Sequence, residues 1–137
     1  MIGLVIVAHG GLARELLAAT EHVVGPLPNA RAVAVAPADD LFERQREVDE
    51  AVAAVDAGAG VAVVTDMFGG TPSNLAMGAM TGAAVEVIYG ANLPLLVKLA
   101  KCRAQPLDQA VAAALEAGRK YLDSAGGIIA ARAGRRA

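Results

Sequence analysis

Short apolar runs alternate along the chain with longer segments of helical periodicity. The apolar runs predict strands at residues 2–8, 31–36, 60–65 and 84–89. The periodic segments predict helices that start near residues 11, 40, 71, 92 and 107, the last of them running to 122. Because the strands show no alternation of apolar and polar residues, helices are expected to cover both faces of the sheet. The pattern therefore predicts an α/β domain.

The order of the predicted elements limits the topology. Strands joined through helices form right-handed parallel crossovers, which favours a flavodoxin-like three-layer sandwich with a mainly parallel sheet in the order 2-1-3-4. The short apolar segment 128–131 allows one antiparallel edge strand at the carboxyl terminus. The rest of the segment 128–137 is expected to be a frayed tail. No linker, repeat or low-complexity segment divides residues 1–137, so a single domain is expected.

Charge and composition exclude several classes of function. The formal net charge of −2 argues against a nucleic-acid-binding surface, which needs clustered basic residues. The single cysteine cannot form an internal disulfide, and no His/Cys cluster has metal-ligand spacing, so we expect a cytoplasmic protein without a metal or other cofactor. The amino-terminal apolar run is too short for a signal peptide or a membrane span, so no direct membrane insertion is expected.

Two residues with possible catalytic chemistry follow two of the predicted strands. His9 ends the first apolar run, and Asp66 ends the third. In the order 2-1-3-4 these strands are neighbours, about 4.8 Å apart, so their side chains can form a hydrogen bond at the carboxyl edge of the sheet. A carboxylate bonded to one imidazole nitrogen leaves the other as a nucleophile, so His9 and Asp66 are the candidate catalytic residues.

The segment after Asp66 is expected to bind a phosphoryl group. Thr71 is predicted as the N-cap of a helix and Pro72 as its first residue, and the first amides of a helix attract anions. Gly10 offers a second stretch of open backbone beside His9. The predicted phosphoryl-binding residues are Gly10, Gly69, Gly70, Thr71 and Ser73.

Other side chains receive structural or surface roles. His22 has no evident partner for chemistry, and Met67, Met77 and Met80 are interpreted as core residues that fill gaps. Phe68 is interpreted as an exposed residue beside the site that faces a partner protein.

Three segments together resemble one known family. They are Val7-Ala8-His9-Gly10, the D-x-x-G-G-[ST]-P motif within residues 65–74, and the G-x-N-x-P motif within residues 90–96. The combination resembles the IIA component of the mannose family of the bacterial phosphoenolpyruvate-dependent phosphotransferase system. The resemblance covers roughly residues 1–122.

The resemblance implies a phosphotransferase that works as a phosphoryl carrier. Such a protein accepts a phosphoryl group from phospho-HPr on His9, oriented by Asp66, and passes it to a IIB partner in sugar uptake or in a regulatory phosphorelay. It also implies a homodimer in which a carboxyl-terminal strand is exchanged between subunits, and a cytoplasmic location that allows peripheral association with a membrane permease complex.

Two other functions remain open from the residues. One is the phosphocarrier subunit of a dihydroxyacetone kinase, which has a similar amino-terminal domain. The other is a signalling module that binds an anion in the same crevice without covalent chemistry.

Overall fold

The computed structural model describes residues 1–81 and 84–136. Within these residues, strands and helices alternate as the hydrophobic pattern predicts as far as the fourth strand, and three helices follow that strand. The strands are β1 (Gly3–His9), β2 (Ala30–Val35), β3 (Val61–Thr65) and β4 (Val85–Ile88). The helices are α1 (Leu12–Val24), α2 (Leu41–Val55), α3 (Thr71–Gly78), α4 (Leu93–Lys101), α5 (Leu107–Lys120) and α6 (Ala125–Arg136).

All strands of the sheet run parallel, in the order β2-β1-β3-β4. The predicted α/β class and strand order are therefore confirmed. In the register between β1 and β3, Val7 lies opposite Thr65. His9 lies two residues after Val7, at the end of β1, and Asp66 directly follows Thr65, so both side chains lie at the same edge of the sheet.

Helices cover both faces of the sheet because alternate residues of the strands point to opposite sides. On one face, Leu4 and Ile6 pack in a core with Leu96 and Leu99 of α4 and with residues of α1 and α5. On the other face, β1 and β3 pack against α2 and α3, in a core that includes the residues Val5, Val7, Val48, Val63 and Leu75.

A buried arginine fixes the opposite end of β1 and β2. The Arg103 side chain is 3% exposed; its Nε donates to the Ile2 carbonyl (2.7 Å), and its Nη2 donates to the Asn29 carbonyl (2.8 Å). Burial lowers the pKa of Arg103, because removal from water disfavours the charged form. These contacts hold the starting points of the two strands together, and β1 ends at the candidate catalytic histidine.

A side chain of α2 holds the carboxyl end of α3. Nε2 of Gln45 donates to the Leu75 carbonyl at 3.0 Å. Near this end of α3, the amides of Ala79 and Met80 bond to carbonyls only three residues back, so the Leu75 carbonyl gains a partner from outside its helix. The contact ties α3, whose other end lies beside His9, to the neighbouring helix.

The expected antiparallel edge strand at 128–131 is wrong, because this segment lies within helix α6. The Ser124 hydroxyl accepts from the Gly127 amide at 2.9 Å, which caps the helix, and the alanines that follow favour helix. Ile128 and Ile129 remain exposed. An apolar dipeptide in a short segment does not separate strand from helix, and here the cap and the alanines decide. Residue 137 of the expected tail lies outside the described residues.

Candidate functional site

His9 stands where the buried strand β1 reaches the surface. The residues from Ile2 to Ala8 are buried, whereas the His9 side chain is 51% exposed. Gly10 follows with φ +57°, a backbone conformation that strains other residues, and its amide donates to the Val35 carbonyl at 2.8 Å. The chain therefore turns sharply at Gly10 and leaves the imidazole at the edge of the sheet.

Asp66 binds His9 through both the ring and the backbone. Oδ2 of Asp66 lies 2.8 Å from Nδ1 of the His9 ring and accepts from the His9 amide at 3.0 Å. An ionised carboxylate can only accept, so Nδ1 carries the proton of this hydrogen bond. In the neutral ring, Nε2 is then the nitrogen with a free lone pair.

The rest of the Asp66 carboxylate is held by its own loop. Oδ1 accepts from the Met67 amide at 3.0 Å and from the hydroxyl of buried Thr65 at 3.4 Å. Partial burial raises the pKa of Asp66. The hydrogen bonds from His9, the attraction to its ring and the Met67 amide outweigh this effect, so the pKa lies below the ordinary value of 3.8. The carboxylate is consequently ionised at neutral pH.

The loop after Asp66 brings the amino terminus of α3 to the imidazole. Gly69 has φ +90°, which favours glycine, and its amide donates to the Ser73 hydroxyl at 3.2 Å. Gly70, rather than Thr71, is the N-cap, so the helix begins one residue earlier than predicted. Within the described residues, no acceptor is assigned to the amides of Gly70 and Thr71.

Gly70 also lies directly against the His9 ring. A Cβ atom added at Gly70 would stand 3.0 Å from Cε1 and 3.2 Å from Nε2 of His9. The free ring nitrogen therefore faces a helix start with unbonded amides and a positive dipole end. Such an arrangement suits a phosphoryl group attached to Nε2.

The structure assigns different positions to the other predicted phosphoryl-binding residues. Thr71 is exposed and lines a cleft of about 340 Å³, which is also lined by His9, Val35, Ala36, Pro37 and Leu41. Ser73 is fully buried, and its hydroxyl supports Gly69 from inside the loop. The Gly10 amide already donates to the Val35 carbonyl. Gly10 therefore leaves open space beside the site but does not provide it with a hydrogen-bond donor. A direct contact of these residues with a phosphoryl group stays a prediction.

An apolar surface adjoins the site on the β3 side. The Phe68 side chain is 68% exposed, and its ring packs edge-on against Tyr89 at 4.9 Å between centroids. The Tyr89 hydroxyl donates to the sulfur of Met77 at 3.2 Å. Sequence reasoning missed Tyr89, although its position directly after β4 places it at the same edge of the sheet as His9.

The methionines expected in the core are exposed instead. Met67, Met77 and Met80 are 57%, 38% and 46% exposed. The interpretation as gap-filling residues was wrong because α3 is only eight residues long and buries Leu75 and Ala76 rather than its methionine.

Metal-ligating side chains do not cluster in the described parts of the chain. No group of three His, Cys, Asp or Glu side chains comes close enough there to hold an ion. None of the helices in those parts is both long and apolar enough for a membrane crossing.

The family model for the PTS system fructose IIA component, EIIA-man, matches residues 3–116 of the chain. The chain belongs to this family. The IIA-family chain is 31% identical over 122 residues to the PTS system mannose-specific EIIAB component of Escherichia coli K12, a match that covers 87% of the chain and 38% of that relative. It is 30% identical over 100 residues to the PTS system sorbose-specific EIIA component of Lacticaseibacillus casei, covering 71% of the chain and 70% of the relative.

Solved structures of similar proteins share the fold. The mannose/sorbose specific IIA subunit of the phosphotransferase system from Enterococcus faecalis superposes with a TM-score of 0.81 at 28% identity, over 90% of this IIA-family chain and 93% of the other. The phosphotransferase system component EIIA from Streptococcus agalactiae also superposes with a TM-score of 0.81, at 22% identity, over 90% and 97% of the two chains, and it supports the fold alone.

Because of Asp66, the free energy of unfolding is expected to depend on pH in the acidic range. Because its folded-state pKa lies below the ordinary 3.8, the ionised carboxylate stabilises the fold above that pH, and the contribution is lost as the pH falls through the lowered pKa. The difference in unfolding free energy between the wild type and Asp66→Asn, from denaturant titrations, should therefore shrink from about pH 5 to about pH 3. Asp108→Asn, at the exposed start of α5, is the control. A difference that stays constant over this range would contradict the lowered pKa.

Gly70→Ala is expected to displace the His9 ring. Its Cβ would press on Cε1 at 3.0 Å, and the exposed ring can yield only by changing the hydrogen bond to Asp66. We expect altered imidazole nitrogen shifts in NMR spectra and a loss of no more than about 1 kcal/mol in unfolding free energy, the low end for an overpacked site. In Gly11→Ala the new Cβ meets no atom within 4 Å, so the shifts should stay unchanged. Equal spectra for the two variants would contradict the contact.

Proposed function

We propose that this chain is a IIA phosphoryl carrier, which accepts a phosphoryl group from phospho-HPr on Nε2 of His9 and passes it to a IIB partner. The observation that carries the proposal is the 2.8 Å hydrogen bond between Nδ1 of His9 and Asp66, with the other ring nitrogen beside the start of α3. Family membership supports the same conclusion.

The proposed reaction is a direct transfer between two imidazoles. The lone pair of Nε2 attacks the phosphorus atom of the donor's phosphohistidine. A new N–P bond forms while the donor's N–P bond breaks, and the electron pair of the broken bond returns to the donor's ring. The same exchange then delivers the phosphoryl group from His9 to the IIB partner.

Asp66 has two tasks in this reaction. By accepting from Nδ1 it keeps the proton on that nitrogen, so Nε2 has its lone pair available for attack. As Nε2 bonds to phosphorus, positive charge develops on the ring. The carboxylate, ionised at neutral pH because of its lowered pKa, stabilises that charge.

The phosphoryl oxygens are proposed to bind at the amino terminus of α3. The amides of Gly70 and Thr71 and the Thr71 hydroxyl supply the donors, each contact to a charged oxygen contributing about 1–3 kcal/mol. Gly69 and Ser73 hold the loop in the shape that leaves these donors free. Gly10 keeps the approach to the ring open.

The relatives support a proposal for the biological setting. The names of the matched proteins refer to mannose and sorbose, which supports a role in sugar uptake. We infer a single IIA domain that acts in the cytoplasm as a homodimer, peripheral to a membrane permease complex, with Phe68 facing a partner protein.

His9 is expected to be the labelled residue. Incubation with phosphoenolpyruvate, enzyme I and HPr should increase the intact mass of the wild type by one phosphoryl group. His9→Ala should abolish this increase because it removes the imidazole nitrogen that is proposed to attack phosphorus. His22→Ala, on the exposed side of α1, should leave it unchanged.

The mass experiment also separates the phosphoryl carrier from the anion-binding module. No gain in the wild type would favour a module that binds anions without covalent chemistry. Labelling that survives His9→Ala and is lost in His22→Ala would overturn the assignment of the site.

Asp66→Asn is expected to slow phosphoryl transfer while the protein stays folded. An amide can donate to Nδ1, which would favour the tautomer protonated on Nε2, and it lacks the charge that stabilises the imidazolium. The rate of labelling in rapid-quench experiments should fall on the order of 100-fold or more, as for other carboxylate–histidine pairs. Asp108→Asn should keep the wild-type rate. An unchanged rate in Asp66→Asn would eliminate the proposed role.

A further inference from the structure

Charge is distributed unevenly along the chain. Residues 1–97 carry eleven acidic and four basic side chains, whereas residues 98–136 carry three acidic and eight basic ones. Within the basic part, residues 119–136, which form the end of α5 and helix α6, contain five basic side chains and one acidic one. A charge asymmetry of this kind is typical of proteins that approach a polyanionic surface with one side.

The acidic and basic groups also differ in whether they are paired. On the α2 side, Arg44 lies in ion pairs with Asp39 and Glu47, and Arg46 pairs with Glu50. In the described part of the segment 119–136, by contrast, no basic side chain takes part in an ion pair. The basic groups of this segment therefore keep their charge available for an outside partner.

Apolar side chains are exposed in the same segment. Tyr121 and Leu122, directly after α5, are 66% and 81% exposed, and Ile128 and Ile129 of α6 are 43% and 66% exposed. Every residue from 119 to 134 is exposed, so no other described element covers the segment. Four large apolar side chains beside unpaired cations are suited to a partner that is both apolar and anionic.

Helix α6 presents both chemistries on one side. At 100° per residue, Ile128, Ile129 and Arg132 fall within an arc of about 100°. Three of the twelve residues of the helix are glycines, which weaken an isolated helix. Short helices gain most of their stability from the surface on which their apolar side packs. The helix is therefore suited to lie along the boundary between an apolar and a polar phase.

A lipid surface fits this segment better than a folded protein or a nucleic acid. Protein contacts depend on large side chains that fill matching pockets, whereas seven of the ten residues 125–134 are alanine or glycine. A nucleic acid offers phosphates to the cations but no apolar surface to the isoleucines. In an anionic bilayer the isoleucines reach the acyl chains, while the guanidinium and ammonium groups stay among the phosphates.

We propose that residues 119–136 form a surface that binds anionic phospholipid membranes, with α6 lying flat along the headgroups. Arg119, Lys120 and Arg132 bind the lipid phosphates, while the exposed apolar side chains of the segment are buried at the acyl boundary. The same bilayer repels the acidic residues 1–97, so the charge asymmetry orients the molecule on the membrane. This association is not a membrane crossing, and it needs no phosphoryl transfer by His9.

The test is flotation of the full chain with vesicles in a density gradient. Vesicles of phosphatidylglycerol and phosphatidylcholine in equal parts should carry the wild type at low ionic strength. Vesicles of phosphatidylcholine alone should not carry it, because they lack net negative charge. Added salt should release the bound chain, since it screens the attraction between the cations and the lipid phosphates.

A charge variant tests the basic part of the surface. The double variant with Lys120→Gln and Arg132→Gln should bind the anionic vesicles about 30-fold more weakly, as expected for two cations near an anionic bilayer. The control carries Arg14→Gln and Arg31→Gln, which remove two exposed charges from α1 and β2 and give the same net charge. It should keep the wild-type affinity. An equal loss in both double variants would overturn the surface, because binding would then follow net charge alone.

An apolar variant tests the contact of α6 with the acyl boundary. Ile128→Ser together with Ile129→Ser keeps every charge and should weaken vesicle binding about tenfold. The matched control, Val23→Ser together with Leu41→Ser, replaces two residues that are 54% and 57% exposed on other helices and should bind like the wild type. Wild-type affinity in the isoleucine variant would overturn the proposed contact.

Other occupants of the surface give different results. A wild type that does not float with anionic vesicles at low ionic strength would overturn the proposal. If that wild type sedimented as a dimer, and the isoleucine variant as a monomer, the surface would belong to a second copy of the chain. Flotation uses no phosphoryl donor, so its outcome is independent of the mass experiment on His9, and the two proposals can fail separately.

Discussion

The hydrogen bonds between His9 and Asp66 are the constraint on which the site depends. They join residues 57 positions apart in the sequence, and they exist because β1 and β3 are adjacent parallel strands in register. One carboxylate oxygen accepts from both the ring and the amide of His9. The orientation of the imidazole is therefore fixed relative to the backbone of β1. As a result, Nε2 faces the start of α3.

The start of α3 completes the arrangement by close approach. Gly70 lies so near the ring that a Cβ atom would crowd it, and Gly69 takes a conformation that favours glycine. Ser73 holds the loop from within, and Gln45 holds the far end of the helix. Contacts on both ends of a short helix thus hold the amides of Gly70 and Thr71, which have no acceptor assigned within the described residues, next to Nε2.

Much of this could be predicted from the sequence, for physical reasons that apply residue by residue. The apolar strands without alternation required helices on both faces, and the crossover rules then made β1 and β3 neighbours. His9 and Asp66 could be paired because His9 ends β1 and Asp66 directly follows β3. The role of Ser73 inside the loop could not be predicted, because a hydroxyl near a helix start can face either the solvent or the protein. The segment at 128–131 was misassigned because its apolar residues fit a strand or a helix equally well.

The sequence by itself determined the elements, their order in the sheet and the two residues that meet at its edge, because these depend on periodicity and on the handedness of the chain. Only the tertiary structure decided which donors stay free. The amide of Gly10 is bonded to Val35, whereas the helix start at Gly70 and Thr71 has no partner assigned within the described residues. It also decided that Phe42 and Phe68 stay outside the core on either side of His9. Both outcomes depend on how helices and loops pack against the sheet, which no local pattern of residues encodes.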